Sequence, residues 1–398
     1  MKKKRIFIAI HYLEIGGAEI SLIGLLNAID YSRYEVDLFV YSHQGELMKL
    51  IPREVNLLSE IPKYAQVEQP MTSVLRRGYV DIVLARLWAK FRFASYVRRV
   101  KPQDGSAVFQ YVANAVTPCL PSLHYLGIYD LAISFLTPHN IVLKKVLARK
   151  KIAWIHTDYS RIDVNADLEL PVWSGYDYIA SISADVSRTF LSVFPSLKGK
   201  LVEIANILSP AFVRSRANEK VNLSVFGDEA VKLLSVGRFS HPKNFDNVPD
   251  ILRRIREQGI DARWYLIGYG GEEPLIRQRI REAGMENFVV IIGKKANPYP
   301  YIQACDLYVQ PSRYEGNSVT VREAQMLCKP IVVTDYPTAA SQIQNGKDGI
   351  IVPLENAACA EGIVRVIQDT QLQSNLTQFL KAHDYGNESE VEKIYKLI

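Results

Sequence analysis

The residues best suited to chemistry lie in one stretch that follows a short apolar strand predicted at 306–310. This stretch reads PSRYEGNSVTVREA over 311–324. Gly316 permits a tight turn, and Asn317 or Ser318 can cap a helix that begins directly after it. The first turn of a helix presents backbone N–H groups and a partial positive charge, which suit a phosphate. We therefore expect Gly316, Asn317 and Ser318 to form an anion site.

Two carboxylates flank this predicted anion site. Glu315 lies in the loop and Glu323 lies eight residues later, inside the helix. A carboxylate repels a phosphate, but it accepts hydrogen bonds from hydroxyl groups, which a sugar supplies in number. The alternative is that Glu323 belongs to a network of the core and that Glu315 is solvated.

Two cations follow the first predicted strand of the second half of the chain, at 231–236. Arg238 and Lys243 share one loop behind Gly237. Together they could clamp a diphosphate, since both keep a positive charge and have directional donors. The alternative is an ordinary solvated surface.

Glycines also follow two of the predicted strands. Gly16 and Gly17 come soon after the first strand, where a bare backbone can approach a ligand closely; a plain tight turn is the alternative. Gly268 and Gly270 imitate a dinucleotide fingerprint, but its third glycine is missing and the stretch is not in the first βα unit. A turn that packs strand and helix closely is the better interpretation.

One histidine closes an apolar strand of the first half. His156 follows the strand 151–155 and lies two residues before Asp158. Such a histidine could orient a substrate hydroxyl or stabilise charge near a reacting carbon. A structural histidine is the alternative.

Helices and parallel strands must position these residues. Apolar runs rich in β-branched residues alternate with helical stretches in two series, 5–205 and 231–353, joined by a loop near 207–222. Strands without polar alternation, separated by helices, predict a parallel sheet buried on both faces. The fold class predicted is α/β, with two doubly wound Rossmann-like domains facing across a cleft. The strands are predicted at 5–10, 36–41, 129–135, 151–155, 178–183, 231–236, 263–267, 288–292, 306–310 and 330–334.

The domain boundaries follow from these two series. We expect an N-terminal, acceptor-side domain at 1–207 and a C-terminal, nucleotide-binding domain at 208–385. The final segment, 386–398, is expected to form an amphipathic helix over 387–398 that packs back on the N-terminal domain.

Composition excludes several classes of protein. The chain has 398 residues, of which 48% are hydrophobic and 23% charged, so a disordered or fibrous protein is excluded. Four scattered cysteines show no spacing typical of a zinc site or a disulfide framework, which favours a reducing, cytoplasmic setting. The basic start precedes only a short apolar run, which indicates a first strand rather than a signal peptide. No stretch reaches the roughly 18 apolar residues of a membrane span.

The net charge of +6 lies entirely in residues 1–207, which hold 25 Lys and Arg against 19 Asp and Glu. Residues 73–102 concentrate it, with one acidic residue, Asp81. This segment predicts a basic amphipathic helix that lies on an anionic membrane surface or binds a charged carrier. The alternative is a helix that packs its apolar stripe on the core. The basic residues are Arg76, Arg77, Arg86, Lys90, Arg92, Arg98, Arg99 and Lys101, and the apolar ones Val80, Val83, Leu84, Leu87, Trp88 and Phe91.

The motifs together resemble those of the GT-B glycosyltransferases of family 4. They occur in that family's order, span nearly the whole chain, and include its most specific mark, Glu-x7-Glu. They are Gly16 to Glu19, Gly237-Arg238 with Lys243, Gly268 to Gly270, and 311–324.

The resemblance implies a role for several residues. Glu315 would hold the hydroxyls of the donor sugar and Glu323 the ribose. Arg238 and Lys243 would bind the diphosphate. His156 would correspond to the family's first-domain histidine near the donor sugar.

Further roles come from the same resemblance. The loop of Gly16 and Gly17 would approach the diphosphate from the opposite domain. Gly293 and Lys294 would line the nucleobase pocket.

The resemblance implies transfer of a sugar, with retention of configuration, from a nucleoside diphosphate sugar to a glycan or lipid-linked acceptor. Together with the basic first half of the chain, it leads us to expect a role in surface polysaccharide biosynthesis. No Asp-x-Asp triplet occurs in the chain, so we expect activity without a metal and no cofactor. No nucleic acid is expected as a partner. We expect a cytoplasmic protein, peripheral at the inner face of the membrane.

Three other functions stay open at this point. A non-catalytic protein that binds sugar nucleotides or polysaccharides would use the same scaffold. An NAD-dependent oxidoreductase is disfavoured by the broken glycine fingerprint. A sugar-nucleotide epimerase would need an acid/base pair at C2, and none is identifiable. The donor sugar, the nucleotide and the acceptor are not determined by these motifs.

Overall fold

The computed structural model describes residues 2–102, 105–227, 229–316 and 318–398, apart from the side chain of Arg161. The chain forms two compact units. Unit 1 comprises Met1–Leu208 together with Asn387–Ile398, and unit 2 comprises Ser209–Gly386.

Unit 1 contains a sheet of seven parallel strands in the order β3-β2-β1-β4-β5-β6-β7. Its central strands are almost wholly buried and apolar, because helices cover both faces of a doubly wound sheet. The strands are β1 Lys4–Ile10, β2 Tyr34–Val40, β3 Asn56–Leu57, β4 Ile128–Ser134, β5 Leu147–Ile155, β6 Tyr178–Ser181 and β7 Leu201–Glu203.

The helices of unit 1 connect these strands. The predicted basic helix over 73–102 is wrong in one respect: Gly78, with φ +82°, interrupts it and leaves two helices, α2 and α3. The helices are α1 Gly17–Ala28, α2 Met71–Arg76, α3 Val80–Val100, α4 Val108–Val116, α5 Asn140–Lys145, α6 Ala166–Ser174 and α7 Ala184–Val193.

Unit 2 contains a sheet of six parallel strands in the order β10-β9-β8-β11-β12-β13. The strands are β8 Val231–Val236, β9 Ala262–Ile267, β10 Val289–Gly293, β11 Leu307–Gln310, β12 Ile331–Thr334 and β13 Ile350–Val352. The helices are α8 Pro210–Ala217, α9 Val248–Glu257, α10 Glu273–Glu282, α11 Tyr299–Ala304, α12 Val319–Met326, α13 Ala339–Gln342, α14 Asn356–Gln368 and α15 Thr370–Ala382.

A polar link ties the three central strands of unit 2 together inside the apolar core. The indole N–H of Trp264 in β9 donates to the hydroxyl of Ser235 in β8 at 2.8 Å. That hydroxyl donates in turn to the carbonyl of Val309 in β11 at 2.6 Å. All three groups are buried, so each bond satisfies a polar atom that would otherwise be costly.

The last residues of the chain complete unit 1. They form a single 3₁₀ turn, Glu388–Glu390, and a short helix, α16 Val391–Tyr395, rather than one amphipathic helix over 387–398. The ring of Tyr395 stacks on Tyr34 of β2, with centroids 4.3 Å apart. The side chain of Asn387 accepts from the N–H of Leu208 at 2.8 Å and donates to the carbonyl of Asn206 at 2.8 Å.

The predicted α/β class with two doubly wound parallel sheets is confirmed, and each predicted strand is present within a few residues. The short edge strands β3, β7 and β13 were not predicted, because two or three residues are too few for a recognisable pattern. No helix in the described ranges is long and apolar enough to cross a membrane.

Candidate functional site

The predicted site loops of unit 2 leave the sheet where its strand order reverses. β8 and β11 are neighbours, and the chain turns outward on opposite sides of this pair. In open α/β sheets, the carboxyl ends of two such strands form the crevice that receives a ligand. The loop 237–243 follows β8 and the loop 311–316 follows β11. The sheet topology therefore brings Arg238, Lys243 and Glu315 to one edge.

Backbone hydrogen bonds hold the loops after β8, β9 and β10 against one another. The N–H of Gly237 donates to Ile267, the N–H of Phe239 donates to Tyr269, and the N–H of Gly268 donates to Gly293. A Cβ on Gly268 would lie 1.8 Å from the carbonyl oxygen of Gly237. Only glycine fits this approach, which agrees with a packing role for the broken glycine fingerprint.

Glu315 is the centre of a dense polar cluster. Its Oε1 accepts from the Lys243 ammonium at 2.6 Å and from the Ser312 hydroxyl at 2.6 Å. The Gln310 amide donates to the same oxygen at 3.3 Å. The Glu315 carboxylate is largely buried, so the alternative of a solvated Glu315 is wrong.

A second ion pair joins the same two loops, and sequence reasoning missed it. The guanidinium of Arg313 binds both carboxylate oxygens of Asp246, at 2.9 and 2.7 Å, and donates to the carbonyl of His241. The N–H of Arg313 also donates to the carbonyl of Pro242 at 2.8 Å. Bidentate pairing of this kind fixes geometry as well as charge. It therefore holds the Lys243 loop beside the Glu315 loop.

The two predicted diphosphate cations differ in environment. Lys243 is mostly buried and already paired with Glu315. Arg238 is exposed, and its guanidinium makes no ion pair with any residue of the described ranges. An anion bound at this edge could therefore pair with Arg238 directly, whereas it would have to share Lys243 with Glu315.

The helix start at the predicted anion site is α12, whose first residue is Val319. The expectation for Ser318 needs correction: its N–H donates to the side chain of Gln342 at 3.1 Å, and the Gln342 amide donates back to its carbonyl. The first N–H groups within the helix, at Val319 and Thr320, have no acceptor inside it. Asn317 lies outside the described residues, and Gly316 is half-buried in the turn before it.

Glu323 lies inside unit 2, with only 3% of its surface exposed. Its Oε1 accepts a hydrogen bond from the Tyr299 hydroxyl at 2.8 Å. Burial raises the pKa of this carboxyl from its ordinary value of 4.5 to about 7, against a smaller lowering by the Tyr299 bond. This environment matches the alternative interpretation, in which Glu323 belongs to a network of the core.

The residues expected near a nucleobase lie at the end of β10. Gly293 has a φ of +82°, and its carbonyl accepts from Gly268. Lys294 is exposed, and its ammonium lies 5.1 Å from the ring centroid of Tyr269. The structure thus places both on the same edge of the sheet as the loop 237–243.

In unit 1, Gly16 and Gly17 lie at the N-terminus of helix α1. Gly16 is the residue before the helix, and its carbonyl accepts from the N–H of Ile20 at 3.0 Å. A Cβ on Gly16 would lie 2.2 Å from a carboxylate oxygen of Glu19. The glycine therefore makes room for that carboxylate, which lies over the first turn of the helix.

His156 follows β5 and lies beside the rings of Phe135 and Trp154, with centroids 4.7 and 6.0 Å away. Both ring nitrogens are shielded from solvent and have no hydrogen-bond partner of good geometry among the residues that the structure describes. Burial lowers the pKa of His156 from 6.5 to about 3. The imidazole is therefore neutral near pH 7. In this form it can donate one hydrogen bond to a ligand.

Two further histidines share this edge of unit 1 and were missed. His11 follows β1 and lies 3.1 Å from a carboxylate oxygen of Glu68; His139 follows β4 and bonds to the hydroxyl of Ser134 at 2.8 Å. Burial lowers their pKa values to about 4 and about 3. Their position soon after an apolar strand is the sequence feature that could have identified both histidines as candidates. No cluster of His, Cys, Asp and Glu within the described ranges could hold a metal ion.

Sequence comparison relates parts of the chain to known proteins. Residues 217–383 match the family model described as Glycosyl transferases group 1. The amylovoran biosynthesis glycosyltransferase AmsD of Erwinia amylovora is 27% identical over 172 residues, 42% of this chain and 48% of that protein. The N,N'-diacetylbacillosaminyl-diphospho-undecaprenol alpha-1,3-N-acetylgalactosaminyltransferase of Campylobacter jejuni is 34% identical over 171 residues, 42% of this chain and 44% of that protein. The matched segments thus span about half the length of these relatives.

Structural comparison covers nearly the whole chain. Anabaena HepE, solved in complex with UDP-glucose, has a TM-score of 0.68 at 16% identity and covers 98% of both chains. A variant of S. aureus TarM has a TM-score of 0.68 at 13% identity and covers 99% of both chains. At such low identity the likeness shows the fold, which is GT-B.

Replacing Gly268 by alanine tests the close approach of the loops. The added Cβ would collide with the backbone of Gly237, so we expect Gly268→Ala to lower the free energy of unfolding by about 3 kcal/mol. Gly271→Ala is the matched control, because a Cβ there meets nothing within 4 Å, and it should change stability by less than about 0.5 kcal/mol. Urea unfolding measures both. Equal stability of the two variants would contradict the packing role.

The raised pKa of Glu323 predicts a pH-dependent stability. The folded carboxyl binds a proton more tightly than the unfolded one, so its contribution to stability is present below about pH 4.5 and is lost as pH rises through about 7. Glu323→Gln should be close to wild type at pH 4 and more stable at pH 8, by on the order of 3 kcal/mol. Urea unfolding at several pH values measures the difference. Parallel profiles would show that Glu323 is not desolvated.

Proposed function

We propose that this chain is a glycosyltransferase of group 1, the family whose model matches residues 217–383, and that it is retaining and metal-independent. It moves a sugar from a nucleoside diphosphate sugar to a glycan or lipid-linked acceptor. The pathway proposed is surface polysaccharide biosynthesis.

One observation carries this proposal: the way in which the Glu315 carboxylate is held. Every hydrogen bond that the described residues donate to it reaches Oε1. None of these bonds reaches its second oxygen, so in our proposal that oxygen accepts from a ligand, at the crevice where a ligand is expected. Hydroxyl groups of a sugar are the donors that fit an ionised carboxylate fixed in this way.

The cations beside Glu315 would stabilise the negative charge of the leaving group. In the proposed reaction the bond between the sugar carbon and the diphosphate breaks, and negative charge grows on the diphosphate. Arg238, the shared ammonium of Lys243 and the first N–H groups of α12 are positive groups on elements already fixed in place. Charge stabilisation by such preorganised groups is commonly the largest part of catalysis. In our proposal the departing phosphate takes the proton of the attacking hydroxyl.

The relatives support the proposed substrates. Two are named for amylovoran biosynthesis, and the Campylobacter jejuni transferase is named for a diphospho-undecaprenol acceptor. HepE was solved with UDP and with UDP-glucose. We therefore propose a UDP-sugar as the first donor to test, and GDP- and ADP-sugars as the next.

Loss of the Glu315 charge tests the site directly. We expect Glu315→Gln to lower the rate of sugar transfer from the active donor by ~10²–10³-fold, because the amide cannot replace an ionised acceptor in the transition state. Glu361→Gln, at an exposed position of α14, is the matched control and should keep the wild-type rate. Release of the nucleoside diphosphate measures turnover, and the anomeric proton signal of the product distinguishes retention from inversion.

The possible outcomes separate the competing functions. A wild-type rate for Glu315→Gln would remove the role assigned to this residue. Binding of a sugar nucleotide without release of nucleoside diphosphate, with any acceptor, would indicate a non-catalytic binding protein. Conversion of the donor into its C2 epimer would indicate an epimerase.

Chelation tests the proposed metal independence. The positive charge for the leaving diphosphate is assigned to Arg238, Lys243 and helix α12, so an excess of EDTA should leave the transfer rate within about twofold of its value in buffer. A strong loss that Mg²⁺ or Mn²⁺ restores would overturn this part of the proposal. The same measurement on Glu361→Gln controls for effects of EDTA on the assay.

A further inference from the structure

Helix α3 has one face that is firmly attached to unit 1. At about 100° per residue, the buried side chains fall on a single side of the helix. Arg86 lies at the centre of this side, and its guanidinium donates to the carbonyls of Gln66, Val67 and Gln69. The buried residues of α3 are Ile82, Val83, Arg86, Ala89 and Tyr96.

The opposite side of α3 is apolar and exposed. Its large hydrophobic side chains are between 48% and 67% exposed and occupy roughly 100° of the helix circumference. The rings of two of them stack, with centroids 5.8 Å apart. We call this set the α3 stripe: Val80, Leu84, Leu87, Trp88 and Phe91.

The structure corrects the sequence-based picture of this segment at two residues. Val83 was expected in the apolar stripe, but it lies on the buried side of the helix. Arg86 was counted among the surface cations, but it is buried as well. The alternative in which the apolar stripe packs on the core is wrong, because the α3 stripe points away from the core.

Cations border the α3 stripe on both sides and at its end. Lys90 lies beside one edge, Arg92 and Arg99 lie beside the other, and Arg98 continues the stripe by two turns. All four are exposed. The acidic residue of the helix, Asp81, is at its start and is paired with Lys63 at 2.5 Å. The surface around the α3 stripe is therefore positively charged.

We propose that the α3 stripe docks this protein on an anionic lipid bilayer. Apolar and aromatic side chains enter the boundary between headgroups and acyl chains, while flanking cations bind the acidic headgroups. Charge favours an anionic bilayer over a second copy of the chain, because two copies of the same positively charged surface would repel each other. The docking stands independently of the proposed transfer reaction, although it would bring the enzyme to a lipid-linked acceptor.

Vesicle flotation tests the docking. The full chain should float with vesicles of phosphatidylcholine and phosphatidylglycerol, remain in solution with phosphatidylcholine alone, and be released by high salt, since screening weakens the headgroup contacts. The double variant Trp88→Ser with Phe91→Ser should reduce the vesicle-bound fraction at least tenfold. Lys90→Glu with Arg98→Glu should do the same on the anionic vesicles.

Matched controls alter exposed residues of unit 2. Leu354→Ser removes an exposed apolar side chain and Arg281→Glu reverses an exposed charge of α10; both should float as the wild type does. Circular dichroism checks that each variant is folded. Transfer to a soluble acceptor should be unchanged in the α3 stripe variants, so failure of the docking and failure of the proposed function give different results.

Three results would overturn the proposal. The first is equal binding to neutral and anionic vesicles, and the second is unchanged flotation of the Trp88 and Phe91 double variant. The third is a dimer in light scattering that this variant converts to a monomer while vesicle binding is unaffected. In that case a second copy of the chain, and not lipid, covers the α3 stripe.

Discussion

The ion pair between Lys243 and Glu315 is the constraint on which the site of unit 2 depends. It joins two loops that are 72 residues apart in sequence, at the two strands where the strand order of the sheet reverses. A largely buried pair of charges is stable only if its desolvation is offset by further hydrogen bonds. Ser312 and Gln310 supply these to the carboxylate, and the Arg313–Asp246 pair keeps the loops at the required separation. The result is a largely buried carboxylate whose position is fixed by three donors.

Sequence patterns were sufficient for the two doubly wound parallel sheets, and they singled out Lys243 and Glu315, which the structure brings together. Buried parallel strands carry an apolar signature, and glycine, helix start and carboxylates coincide within 311–324. The contacts that hold these residues were not readable, because Asp246 with Arg313, Tyr299 with Glu323, and Gln342 with Ser318 are distant in sequence. Their pairing depends on which strands become neighbours.

At some positions of helix α3, burial or exposure could not be predicted from the residue type. Val83 and Leu84 are adjacent and equally apolar, yet one is buried and the other exposed. Their difference depends on how α3 is rotated on unit 1, and the buried guanidinium of Arg86 sets that rotation through three backbone carbonyls. A buried arginine among several exposed ones has no distinguishing local pattern.

The two units offer different chemistry at the carboxyl edges of their sheets. Unit 1 presents the imidazoles of His11, His139 and His156, which burial keeps neutral at pH 7. Unit 2 presents the charges of Arg238 and the Lys243–Glu315 pair. A neutral imidazole discriminates by hydrogen bonding without attracting anions, whereas fixed charges provide the attraction.

The return of the chain to unit 1 at Asn387–Ile398 determines an order of events during synthesis. Unit 2 is encoded between the two parts of unit 1, so the ribosome releases all of unit 2 before it delivers Tyr395 to its place against Tyr34. Domains generally fold as units while the chain is being made. The surface of unit 1 that receives α16 therefore stays uncovered until the ribosome has translated unit 2.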